Sequence, residues 1–424
     1  MLFRSLGTVL NTLTVIGGGW AGLAAAVQAT RLGWSVSLHE AAPELGGRAR
    51  RVNHGGLPLD NGQHILLGAY QNTLQLMDWV GVDPTQVLCR LPLTLQSLHG
   101  QGLALPALPY PWNVMLGLAS AKGWRWRDKA RLLGQALRWQ AQGFACEPHQ
   151  NVAEVCQSLP PKVIQQFIEP LCESALNLPM SQASGQVFLR VMKDALSLGK
   201  GSSDLLLPKV DLGQLMPDAA HRWLQAQGAT VHTHSRVTDL DGLDAQPVLL
   251  ACPAWEAAKL VSPIDPAWAA QAQNLTHTAI ATVYLRAAQP FHWPTPMVAL
   301  TSSPETPAQF AFDKGVLHGT PDMQSVVSMV VSACTHDKAT ITQQVQAQAA
   351  SQLGLKETTV LQTVVEKRAA FACMPEVSRP PAKVHENLWV CGDYVQGPYP
   401  ATLEGAVQSG FFAAQKIIET HGRK

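Results

Sequence analysis

Apolar and polar positions follow two rhythms along this chain, and the changes between them mark its elements. Residues 13–16, Leu-Thr-Val-Ile, are a short apolar run with three β-branched members, which predicts a buried strand. Residues 21–32 are rich in Ala and Leu and predict a helix that Gly33 stops. Residues 35–39 return to a strand pattern, with Glu40 at its end. Further on, the spacing predicts a helix over 70–80, then helices over 152–198 broken near Pro160-Pro161, Pro170 and Pro179. A helix over 214–227 closes at Gly228, and strands follow over 229–237 and 248–251. Runs at 279–286, 325–332 and 358–370 with a helix over 341–353 predict a mixed sheet with covering helices. The last strand, over 387–393, ends in Gly392-Asp393, and a small-residue helix starts at Thr402.

The junction between the first strand and the first helix carries chemistry. Gly17, Gly19 and Gly22 occupy the glycine positions of a G-x-G-x-x-G turn. Gly17 permits the tight turn, Gly19 lets a pyrophosphate approach the backbone, and Gly22 lets the helix pack against the strand. The helix start, with Ala21 in its first turn, offers free N–H groups and a positive dipole end. Glu40 stands where it can accept hydrogen bonds from a ribose diol, and its charge would repel a 2′-phosphate. Strand, turn, helix and acid together predict a dinucleotide site. Gly46-Gly47-Arg48 follows closely enough to fold back over that ligand, with Arg48 on the pyrophosphate. Asp393, at a later strand end, is placed to meet a sugar-like hydroxyl, and the helix start at Thr402 points N–H groups at a carbonyl.

Because this strand–helix pattern resumes late in the chain, the domains are expected to interleave. The fold class is α/β, with a Rossmann-type nucleotide domain in three parts (1–75, 206–255 and 381–424). It encloses a helical region (76–205) and a mixed-sheet substrate domain (256–380).

Composition narrows the function. With 31 Lys+Arg against 30 Asp+Glu, the net charge of +1 argues against bulk nucleic-acid binding. Charged residues are only 14% and hydrophobic residues 46%, a greasy balance that suits an apolar ligand or a membrane surface. Eight cysteines are scattered without a C-x-x-C pair and read as free, mostly buried thiols of a cytoplasmic protein. His232 and His234 alternate with Val231 and Thr233 on one strand face, and solvent-facing histidines are expected there in preference to a metal pair. No metal site is expected. Residues 1–10 carry one Arg and lead straight into the first strand, with no signal-peptide pattern.

Residues 112–140 differ in character. They hold Trp112, Trp124, Trp126 and Trp139, and six cations (Lys122, Arg125, Arg127, Lys129, Arg131, Arg138) against one acid, Asp128. Two readings fit: a helix pair lying on an anionic bilayer at the inner face of the cytoplasmic membrane, or an ordinary amphipathic pair with its basic face in water.

With both ends read, the chain resembles the flavin amine oxidase and carotenoid desaturase superfamily. The resemblance rests on the Gly-rich turn, Glu40, Gly46-Gly47-Arg48, and Gly392-Asp393 followed by Leu403-Glu404-Gly405-Ala406. More narrowly, residues 18–26, Leu59-Asp60-Asn61-Gly62-Gln63-His64 and residues 399–406 are similar to the hydroxysqualene dehydroxylase family. These matches cover about the first eighty and last forty residues. The resemblance implies FAD as cofactor, with Gly47, Gly62, Gln63, Val237 and Leu403 joining the residues above around it. It also implies a long-chain isoprenoid alcohol as substrate, its hydroxyl removed reductively. The sequence names no reductant for the flavin. The segment holding Asp60 and His64 is expected beside the isoalloxazine, so these two are candidate proton donors.

Three catalytic readings remain open at this point: the dehydroxylase, a carotenoid-type desaturase, and an amine oxidase. Thr402 stands where amine oxidases often carry a cage aromatic, which weakens the last. A non-catalytic flavin protein on a membrane is the fourth.

Overall fold

The computed structural model describes residues 11–109, 111–197, 199–242 and 246–422. Residues 1–10, expected as a lead-in, lie outside them. Five parallel strands form the first sheet, in the order Thr230–His232, Ser35–His39, Thr12–Ile16, Val248–Leu250, Leu388–Val390. Three distant parts of the chain therefore build one sheet. Thr12–Ile16, Val248–Leu250 and Leu388–Val390 are buried on both faces and read as apolar runs, while Ser35–His39 and Thr230–His232 toward one edge keep an alternation. Leu13, Val15, Leu249 and Trp389 join one apolar cluster, and Ile16, Val248, Leu250 and Val390 join the other.

The helices Trp20–Arg31 and Leu403–His421 pack together on the first of these faces. Their approach requires a glycine, since a Cβ on Gly410 would lie 2.2 Å from the Ala21 carbonyl oxygen. The second face is covered by the helices Ala254–Val261 and Pro266–Gln273.

Five strands form the second sheet, in the order Met297–Ala299, Phe310–Asp313, Val326–Cys334, His277–Ala287, Thr358–Phe371. Every pairing among them is antiparallel, where the sequence pattern predicts a mixed sheet. Periodicity says which residues face the core but carries no strand direction. The helix Lys338–Leu353 covers this sheet through Ile341, Val345 and Ala349.

Three local expectations are corrected. The strand expected over 229–237 stops at His232, because His234 adopts a left-handed φ of 55°. The helix expected over 214–227 is two helices, Leu212–Leu215 and Pro217–Ala226, parted at Met216. Pro170 breaks nothing: helical structure runs from Pro161 to Leu176, with a π-turn at Ile164–Ile168 just before the proline. The wider turn accommodates the missing N–H and moves the preceding carbonyl away from the ring.

Candidate functional site

A cavity of about 960 Å³ opens where the parallel strands end, and it extends beneath the antiparallel sheet. Ile16, His39, Glu40, Ala251 and Gly392 reach it from the carboxyl ends of four neighbouring strands.

Backbone makes the nucleotide end. Gly17 has φ of 116°, and a Cβ there would sit 2.6 Å from the Ala251 oxygen. A Cβ on Gly22 would lie 1.9 Å from the Gly17 oxygen, so helix and turn touch directly. Gly19 is different, because its Cβ would meet only the Gly47 Cα, at 3.7 Å. The Gly46 N–H donates to the Gly18 carbonyl at 2.8 Å, and Gly19 pairs with Gly46 as a parallel bridge. The two glycine segments thus form one floor. Above it the helix Trp20–Arg31 starts with no side-chain cap and no acid in its first turn, and Gly19, Trp20 and Ala21 line the cavity. Open space beside Gly19 and unsatisfied N–H groups fit a phosphate. Glu40 is fixed by N–H donors from Gly18 and Ala42, both at 2.7 Å. Val237 lies on the same wall, beyond the shortened strand.

The ring of His232 stacks on His39 at 4.9 Å, and no cluster of metal-binding side chains occurs among the described residues.

In the middle of the cavity Arg48 and Asp393, expected on separate parts of the ligand, form one ion pair of 2.6 Å. Arg48 also donates to the Ala369 carbonyl. Burial works against the Arg48 charge, but Asp393, with Glu366 behind it, outweighs that and raises its pKa. Gly47, Gly62 and Gln63 line the same region.

The two candidate proton donors fare poorly here. Asp60 is only 2% exposed and is not on the cavity wall. Its carboxylate accepts from the Leu212 N–H at 2.8 Å and faces the buried Lys314 ammonium at 3.8 Å. Burial pushes its pKa up to about 6, against the pull of Lys314. The proton-donor expectation for Asp60 is therefore corrected to a structural one: its chain neighbours face the cavity and it does not. His64 does line the cavity, with Nδ1 at 2.9 Å from the Gly62 carbonyl. That contact puts the ring proton on Nδ1. Burial lowers the His64 pKa, so the ring is neutral at neutral pH and carries no extra proton to give.

At the third edge Thr402 caps the helix Leu403–His421, its hydroxyl accepting from the Gly405 N–H, and Thr402 and Leu403 line the cavity. Arg379, which sequence reasoning missed, and Glu404, which it placed only within a motif, hold this edge. Arg379 donates to the carbonyls of Asp393, Tyr394, Val395, Gly397 and Tyr399, which occupies all five of its N–H groups. The loop from Gly392 to the helix is thereby pinned. Glu404, 1% exposed, accepts from the backbone N–H and side chains of both Asn72 and Thr73. It caps the start of the helix Gln71–Trp79 from the other end of the chain. Neither residue sits in a sequence pattern that announces these partners.

Beyond this edge the cavity turns apolar, walled by Leu93, Leu95, Leu171, Val191, Phe310 and Phe312 among others.

Comparisons place these features among known proteins. The family model for flavin containing amine oxidoreductases matches residues 20–418. A hydroxysqualene dehydroxylase of Zymomonas mobilis is 24% identical, covering 96% of this chain and 99% of that protein. One of Rhodopseudomonas palustris is 25% identical, covering 96% and 98%. A zeta-carotene desaturase of Zea mays is 36% identical, but over only 17% of this chain and 13% of that protein. Among solved structures, an oxidoreductase from Methanosarcina mazei superposes with a TM-score of 0.72 at 15% identity, covering 96% of this chain and all of that one. Cyclohexylamine oxidase from Brevibacterium oxydans gives 0.67 at 15%, covering 97% and 100%. At such identities the solved structures share the fold alone.

Proposed function

This chain belongs to the flavin containing amine oxidoreductase family, and from that premise we propose that it removes the hydroxyl of hydroxysqualene to give squalene. It is an FAD-dependent oxidoreductase. The observation that carries the dehydroxylase reading is coverage: the dehydroxylases align from end to end, while the carotenoid desaturase aligns over a sixth of the chain. The apolar end of the cavity supports it, since a C30 chain with one hydroxyl needs a long hydrocarbon wall.

In this reading Gly17, Gly19 and Ala21 receive the pyrophosphate, Gly22 lets the helix pack on that turn, and Glu40 and Val237 take the adenosine half. Gly47, Arg48, Gly392 and Asp393 hold the linking ribityl segment. Gly62, Gln63, Thr402 and Leu403 border the ring system. Reduced FAD supplies the two-electron hydride. The protein's own residues hold the allylic carbon against the cofactor, keep water away through the apolar walls and deliver a proton to the departing oxygen. The test is anaerobic incubation of photoreduced enzyme with hydroxysqualene in detergent. Stoichiometric squalene with flavin reoxidation is expected. Phytoene desaturation or peroxide release from an amine by the oxidised enzyme overturns the reading.

The same reading puts the protein on the cytoplasmic membrane's inner face. No helix among the described residues is long and apolar enough to cross a bilayer. The helices Trp112–Ser120 and Trp126–Ala141 instead expose Trp112, Met115, Leu116, Trp126, Leu133 and Leu137 to solvent, with Trp112 59% and Trp126 72% exposed. Trp126, Leu133 and Leu137 share one face at helical spacing, and Arg127, Arg131 and Arg138 flank it. An apolar stripe bordered by cations suits an anionic lipid surface, each cation adding about 1 kcal/mol. The helix Trp112–Ser120 packs on the strand Gly102–Ala104, whose partner strand carries Leu95 into the cavity wall. Substrate dissolved in the bilayer thus has a short way in.

A further inference from the structure

Building on the dehydroxylase reading, we propose that the Tyr399 phenol, held by Asp194 and Arg190, receives the substrate hydroxyl and gives it the proton on which it leaves. The apolar end of the cavity contains one charged side chain from the helical region, Asp194, on the helix Gly185–Ser197. A carboxylate in such a wall is costly unless it is paired. Arg190 pairs it, with Nε at 3.1 and 3.0 Å from its two oxygens. The Tyr399 hydroxyl donates to Asp194 at 2.8 Å. Asp194, itself paired by Arg190, thus holds the phenol in place, and the single phenolic proton turns about its C–O bond from Asp194 to the oxygen of an incoming hydroxyl.

Placement supports the same role. Tyr399 lines the cavity three residues before Thr402, beside the helix start assigned to the flavin ring. Its backbone is held by Arg379, which donates to its carbonyl at 2.9 Å. Geometry fixed at both main chain and hydroxyl is what a proton donor in an otherwise greasy pocket requires. The charged and titratable groups facing Tyr399 are Asp194 and Arg190 on its helix side and Tyr70, with Glu404 behind it, on the other. Burial and the Asp194 contact push the Tyr399 pKa up to about 12, so the phenol stays protonated throughout the working range.

The step balances. The substrate C–O bond breaks as its oxygen takes the Tyr399 proton and departs as water. The carbon takes a hydride, with its electron pair, which bound reduced FAD would supply. The phenolate, facing Arg190, regains a proton from solvent.

Tyr399→Phe keeps the ring and removes only the oxygen. The variant is expected to retain bound FAD and its melting temperature while kcat falls about 100-fold. In the oxidised protein, hydroxysqualene should bind about tenfold tighter than squalene, by displacement of one by the other, and Tyr399→Phe should bind both alike. Asp194→Asn, a change at a positioning residue, should lower kcat about tenfold and weaken the alcohol preference without loss of flavin. Wild-type turnover should show no fall through pH 6. Turnover of Tyr399→Phe within threefold of wild type, an unchanged alcohol preference, or an inflection near pH 6 overturns the proposal. If wild type does not turn over hydroxysqualene, the dehydroxylase reading fails, and the binding preference alone decides whether Tyr399 reads a hydroxyl.

Discussion

The two ends of the cavity are built in opposite ways. The nucleotide end is backbone: glycines at which a Cβ would fall 1.9 and 2.6 Å from a carbonyl oxygen, and an uncapped helix start. The apolar end is side chains gathered from elements far apart, with Asp194 meeting Tyr399 across 205 residues. Backbone sites are specified by a few consecutive residues and tolerate almost no change there. Side-chain sites are specified by the whole fold, and each member can be altered with a graded effect.

The sharpest break of this contrast lies within the glycine turn itself. Gly22→Val drives its side chain into the Gly17 carbonyl and should prevent folding, read as insoluble or unfolded protein by circular dichroism. Gly19→Val has room in the fold and should give folded but colourless protein that FAD cannot reconstitute. Folded, yellow protein from Gly19→Val would show that the phosphate does not lie on that glycine.

Next in size is the pair of Asp60 and Lys314. Burial raises Asp60 to about 6, above its ordinary unfolded value, so the folded state binds this proton more tightly. Its contribution to stability is therefore present at low pH and falls as pH rises through about 6. Lys314→Met leaves the carboxylate buried and unpaired, a loss of roughly 3–5 kcal/mol near pH 8. The loss should shrink at pH 5, where Asp60 is protonated. Denaturant melts of both proteins at the two pH values measure this, and an equal loss at both would mean that Lys314 stabilises by packing alone.

Glu404→Gln comes third. It keeps the shape but loses acceptor capacity toward Asn72 and Thr73, at a cost of about 1–3 kcal/mol in the same melts.

The smallest effect on stability is that of Trp126, set against a large one at Trp139 in the same helix. Trp139 is 1% exposed and Trp126 lies outside. Trp139→Ala should destabilise by about 3–5 kcal/mol. Trp126→Ala should leave the melt within about 0.5 kcal/mol and instead weaken sedimentation with anionic vesicles. Charge reversal at Arg125, Arg127 and Arg131 should release the protein from those vesicles while flavin is retained. Unchanged sedimentation in both cases would leave the exposed stripe without a lipid partner.

These contrasts also explain what could be read early. Gly22 and Thr402 were legible because each acts through neighbours within a few residues, and Glu40 because a strand–turn–helix–strand unit of fixed length returns it to Gly18. Asp60 was misread because a segment can border a cavity while one of its side chains turns into the protein. The four tryptophans at 112–140 gave no orientation: the helix Trp126–Ala141 carries two apolar faces, and only packing decided that Leu132 and Trp139 go in while Trp126 and Leu137 stay out. Arg379 gave no signal at all, since its five partners are carbonyls, which every residue has.

The sequence by itself determined the α/β class, the strand–turn–helix of the nucleotide end and the acid after it, because these follow from steric limits and hydrogen bonding over short stretches of chain. Only the tertiary structure decided which buried charges pair (Arg48 with Asp393, Lys314 with Asp60), which helix face is exposed, and which polar groups enter the apolar end. Those outcomes depend on desolvation, and what desolvates a side chain is the rest of the fold packed around it.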